Sequence, residues 1–123
     1  MQPLFIESTK HTPTIHADID KGLITIKGSS YPEDATDTYQ QVFDYIMHNQ
    51  DKISQMKCEL EMEFLNSNSQ KLVFNLLLIL QNLFDDGKKI EVVWKYEEND
   101  EDMREMGEDI KQLIYVPMVI VQA

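Results

Sequence analysis

The chain predicts a mixed α/β fold: one small domain with a β-sheet that carries about three helices. Three observations predict it. Two alternating segments flank an Asp-Lys-Gly turn near the start. Strand-like and helix-like stretches then take turns to the end. Finally, 123 residues at 42% hydrophobic content suffice for one core, so residues 1–123 are expected to form a single domain.

The elements follow in order. Residues 13–28, PTIHADIDKGLITIKG, predict a hairpin. Ile15, Ala17 and Ile19 alternate with polar residues before the turn, and Leu23, or Ile24 and Ile26, after it. Gly22 can supply the positive φ that a tight turn needs. Ser30-Tyr31-Pro32-Glu33 opens the first helix, with Pro32 suited to the first helical position and acidic residues following at the positive helix end. Ala35, Tyr39, Val42, Phe43 and Ile46 form its apolar stripe, and it should end between Asn49 and Lys52. Residues 56–65, MKCELEMEFL, predict a strand with Met56, Cys58, Leu60, Met62 and Phe64 inward and Lys57, Glu59, Glu61 and Glu63 outward.

A second helix over 70–86 is apolar nearly all round and stops at Gly87, so it is buried on most sides or offers part of itself to a partner. Residues 88–96 predict a strand with Trp94 and Tyr96 on one side. Residues 98–114 predict an acidic helix with Met103, Met106, Ile110 and Leu113 on its apolar side, and 116–121 a last strand. The order ββ-α-β-α-β-α-β favours parallel neighbours joined by right-handed crossovers, with the hairpin added antiparallel.

A formal net charge of −11 disfavours nucleic acid, where Lys and Arg neutralise phosphates, and anionic membrane surfaces. A cationic patch on a protein partner fits better. Cys58 is the only cysteine, so no intrachain disulfide can form. The N-terminus has no signal-peptide pattern, and LVFNLLLIL is too short to span a bilayer, which needs about 20 apolar residues. A cytoplasmic location is expected. No P-loop, G-x-S-x-G elbow, HExxH or Gly-rich dinucleotide loop is present, so neither enzymatic activity nor a cofactor is expected. His11, His16 and His48 are scattered and predict no metal site. The acidic run from Glu97 to Asp109 lacks the glycine and ligand spacing of a Ca²⁺ loop, and reads as a solvated face or docking surface.

The site candidate is the stretch FLNSNSQKLVF, residues 64–74, where the central strand gives way to the apolar helix. Ser67 as N-cap with Gln70 at N3 reads as a capping box. The same hydroxyl could instead accept a phosphoryl group, because a helix N-terminus offers free N–H groups and positive potential to an anion. Ser69 is a second hydroxyl on this turn, and Lys71 lies nearby.

Several stretches together resemble the SiaC family of bacterial regulatory phosphoproteins. They are Thr12-Pro13, Gly28 through Ser30-Tyr31-Pro32-Glu33, Phe64-Leu65-Asn66-Ser67 with Ser69 and Lys71, Trp94-x-Tyr96, and the acidic segment with Gly107-Glu108. The family is similar in organisation to STAS domains, the anti-sigma-factor antagonists. The resemblance implies a phosphorylatable residue at Ser67, where the family usually has Thr, with Ser69 as the backup position. It implies a partner-binding surface around Tyr31, Asn66, Asn68, Ser69 and Lys71. It further implies a GHKL-type serine/threonine kinase, a PP2C-like phosphatase, and a diguanylate cyclase activated by the unmodified form, raising cyclic di-GMP and favouring surface-attached growth. An anti-sigma-factor antagonist acting on transcription is the alternative.

Overall fold

A computed structural model describes residues 2–123, apart from the side chains of residues 32–35. The places assigned to Ala35 in the apolar stripe and to the acidic first turn therefore lie outside the described residues. The elements are β1 (Leu4–Ile6), β2 (Thr14–Asp18), β3 (Leu23–Ser30), α1 (Pro32–His48), β4 (Gln55–Leu65), α2 (Ser67–Asp85), β5 (Lys89–Tyr96), α3 (Glu101–Lys111) and β6 (Met118–Gln122), with a short 3-10 turn between α1 and β4. All six strands form one sheet in chain order. β1, β2 and β3 pair antiparallel, and β3 to β6 pair parallel. The hairpin turns through Gly22 at φ +65°; a Cβ there would also sit 2.9 Å from the carbonyl oxygen of Gln55.

Because each crossover moves the chain one strand further in the same direction, crossovers of one hand place all three helices on one face. The side chains agree. Ile24, Ile26, Cys58, Leu60, Val92 and Trp94 share a face by register and join the helices' buried residues in one core. The opposite face carries Lys27–Glu61, Lys57–Glu59 and Lys95–Glu59 ion pairs at 3.4, 3.7 and 3.2 Å. The wet face expected of the central strand is thus ion-paired to both neighbours and within the strand itself.

α3 is fastened to this core by Trp94, whose indole N–H donates to the carbonyl of Met103 at 3.0 Å. Gly107 lets the helix lie flat on that ring, since a Cβ would come within 2.6 Å of it. Two of the stretches that carry the family resemblance, Trp94-x-Tyr96 and Gly107, thus meet in one packing contact.

Several expectations need correction. β1 was not foreseen. α2 begins three residues earlier than predicted, α3 spans only Glu101–Lys111, and β6 starts at Met118 rather than at 116. Leu113 lies beyond α3 and is 70% exposed, not on an inward face. Phe64 points outward as well. Gly28 pairs with Met62 but Ser29 with Phe64, so Glu63 is an extra residue in β4. That bulge reverses the alternation: Phe64 is exposed and Leu65 is buried.

Candidate functional site

The site lies at the C-terminal edge of the parallel strands, where β3 runs into α1 and β4 into α2. The bulge turns the Phe64 ring onto Tyr31, with centroids 4.9 Å apart and the rings nearly parallel. His11 meets Tyr31 edge-on at 5.7 Å, and its carbonyl accepts the Tyr31 N–H at 2.9 Å. These three rings form a shelf beside the start of α2, and Tyr31 and Phe64 remain 38% and 42% exposed. Phe64 was assigned to the core and His11 was given no role from sequence. Only the bulge, a pairing feature, makes the shelf.

The first turn of α2 divides into two sides. Asn66, not Ser67, is the N-cap: its Oδ1 accepts the Ser69 N–H at 2.8 Å. The predicted capping box is therefore displaced by one residue. Gln70 does not return to the cap; its amide donates to the carbonyl of Leu65. Asn66 is held in place because its own N–H donates to the carbonyl of Ser30. Ser67 becomes the first helical residue. It is exposed, as are Asn68 and Lys71. The leading N–H groups of an α-helix have no intrahelical carbonyl to bond, so an anion on Ser67 would meet open donors.

Ser69 faces the other way. It is fully buried, and its Oγ accepts a hydrogen bond from Ser30 Oγ at 2.8 Å. Tyr39 lies behind this pair. Its hydroxyl points toward Ser30 without a well-formed hydrogen bond, and burial pushes its pKa up to about 12. The Cys58 thiol, also fully buried, is likewise pushed up to about 12. Of the residues proposed from sequence, Tyr31, Asn68, Lys71 and Ser67 are thus available at the surface, Asn66 is half-buried and occupied as a cap, and Ser69 is out of reach of a partner.

Among the described residues no three His, Cys, Asp or Glu side chains converge to hold a metal ion, and no helix is long and apolar enough to cross a membrane.

The model of the SiaC family of regulatory phosphoproteins matches residues 6–123. The chain belongs to the SiaC family. A curated relative, an uncharacterised protein of Pseudomonas aeruginosa (strain UCBPP-PA14), is 27% identical over 121 residues, spanning 98% of this chain and 96% of that protein. The fold is also similar to crystal structures from Pseudomonas aeruginosa. Apo-SiaC superposes with a TM-score of 0.90 at 26% identity, covering all of both chains. The SiaC chain from a complex of the diguanylate cyclase SiaD with its activator SiaC gives 0.90 at 26% identity, over 98% of this chain and 99% of that one.

Proposed function

We propose that this SiaC-family protein is a phosphorylation-controlled adaptor whose unmodified form binds and activates a diguanylate cyclase. Modification occurs at Ser67, by a GHKL-type serine/threonine kinase, and is reversed by a PP2C-like phosphatase. The observation that carries this reading is the exposed Ser67 hydroxyl on the first turn of α2, beside an exposed aromatic shelf. The structure of a related SiaC bound to the cyclase SiaD favours a cyclase over an anti-sigma-factor system as the output.

The energetics favour local exclusion of the partner. A phosphoryl group adds about −1.5 to −2 charges. The helix N-terminus returns about 0.3–2 kcal/mol, too little to rearrange a packed domain. Burying an unpaired charge against a partner costs about 2–5 kcal/mol, near the roughly 5.5 kcal/mol needed to invert a two-state population. The phosphate therefore acts at the interface that it occupies.

The test is incubation with ATP and the kinase, followed by peptide mass spectrometry and co-precipitation with the cyclase. Phosphate is expected on Ser67 and absent from Ser67→Ala. Ser67→Ala should keep the cyclase and Ser67→Glu should lose it. Equal retention by all three forms would overturn the reading.

A further inference from the structure

β6 is the last strand of the sheet and pairs only with β5 among the described residues, so one side of it is a free border. The hydrogen bonds tell which groups stand there. The Val92 N–H donates to the carbonyl of Pro117, and the Ala123 N–H donates to the carbonyl of Tyr96. Odd-numbered residues therefore turn their backbone groups to β5, while Met118, Ile120 and Gln122 turn theirs to the open side. Sheet borders are commonly guarded by a charge, a proline or a bulge. Met118–Gln122 has none of these. Val119 and Val121 stand 45% and 38% exposed on its helix-free face, beside Val93.

α3 lies over β5 and β6. Its two flanks differ in charge. Asp102, Glu105 and Asp109 line the cleft with α2 and are all of one sign. The other flank, toward the free border, carries Glu101, Arg104, Glu108 and Lys111, spaced at three and four and alternating in sign. This flank and β6 share a centre. Ile120 pairs with Trp94, and the Trp94 ring lies against Gly107, so Ile120 and the middle of α3 stand at the same height.

We infer that two copies of this chain join along β6, antiparallel, about a two-fold axis through Ile120. The axis sets Ile120 opposite itself and Met118 opposite Gln122, so about six backbone hydrogen bonds close the border. Val119 of one copy meets Val121 of the other, and the valines of both form one apolar strip. Strands lie about 4.8 Å apart, which brings the two α3 helices to roughly 10 Å, within packing range. There Arg104 meets Glu108 of the second copy, and Glu101 meets its Lys111, so each contact joins opposite signs. A net charge of −11 opposes self-association over most of the surface. Here the strand is uncharged and the helix flank is neutral. A foreign strand would fill the border but leave the alternating flank unanswered, so charge complementarity selects the second copy. The Ser67 turn lies on α2, across α3 from this border, and stays open in the dimer.

The test is analytical ultracentrifugation of the full chain across a concentration series, with circular dichroism to establish that each variant is folded. Gln122→Pro removes an outward N–H and costs no bond within the chain. Val119→Lys puts a charge on the apolar strip. The wild type is expected to become dimeric as concentration rises, and each of these variants to raise the dissociation constant about tenfold or more. Arg104→Glu should raise it about fivefold, and adding Glu108→Arg, which exchanges the two signs, should restore it to within about twofold. A wild type that is monomeric at every concentration overturns the pairing and leaves the border to a strand of another protein. A dimer that ignores both β6 variants overturns β6 as its seat. No response to Arg104→Glu, or no recovery on adding Glu108→Arg, overturns the axis.

Discussion

The outward and inward sides of the first turn of α2 present the same side chain to opposite surroundings. Ser67 stands in solvent over open backbone donors, where adding or removing charge disturbs no packing. Ser69, two residues on, ties the helix to β3 through Ser30 and touches no solvent. A helical turn is enough to separate an exposed hydroxyl, the one proposed for modification, from one that the core holds. The lesson is that an exposed hydroxyl can sit next to the core if its neighbour holds the backbone still. Here Asn66 and Ser69 fix the turn on which Ser67 is presented.

Three measurements sharpen this contrast, from the largest effect to the smallest. Ser69→Asp should place an uncompensated carboxylate in the core and cost about 3–5 kcal/mol in urea unfolding, or prevent folding outright. A cost below 1 kcal/mol would mean that the inward side is not closed.

Next comes pH. Cys58 and Tyr39 have pKa values raised to about 12 in the folded chain from ordinary values of 9.0 and 10.0. Between the ordinary and the raised value the folded state holds a proton that the unfolded chain has released, so unfolding becomes easier as pH rises. The stability from these two groups should be fully present below pH 9.0, fall as the unfolded thiol ionises, and fall further beyond 10.0. Thermal unfolding across this range checks it, with Cys58→Ala expected to remove the earlier part of the decline.

The smallest effect is expected at Ser67→Asp. Its stability should stay within about 0.5 kcal/mol of wild type, with a slight gain from the helix dipole, and amide chemical-shift changes should be confined to the shelf and the start of α2. Widespread shifts across the core would erase the distinction between the two sides.

Most of the architecture was legible because its periods are strong. The β2–β3 hairpin, the alternation of β4 up to Met62 and the stripe of Tyr39, Val42 and Ile46 in α1 are each readable without a partner strand. β1 was missed because three residues are too few to show a period, and its only support is pairing with β2. The bulge at Glu63 was missed because MKCELEMEFL keeps alternating by residue type even where the backbone does not. The cap slipped by one because Asn and Ser both serve as N-caps, and a hydrogen bond from Asn66 to distant Ser30 decides between them.

The inward turn of Ser69 did leave a trace. It shares a helical stripe with Val73, Leu76, Leu77 and Leu80, all buried, and that phase was available in the sequence. The aromatic shelf left none, since it joins residues from elements far apart in the chain.

The sequential strand order has a consequence for how the molecule is made. No strand is wedged between two that come earlier, so every newly synthesised β-α unit finds its template already laid down at one growing border. Translation could therefore extend the sheet by accretion, with each arriving helix sealing the hydrocarbon surface just exposed, and the Ser67 turn would be finished before the acidic helix beside it had left the ribosome.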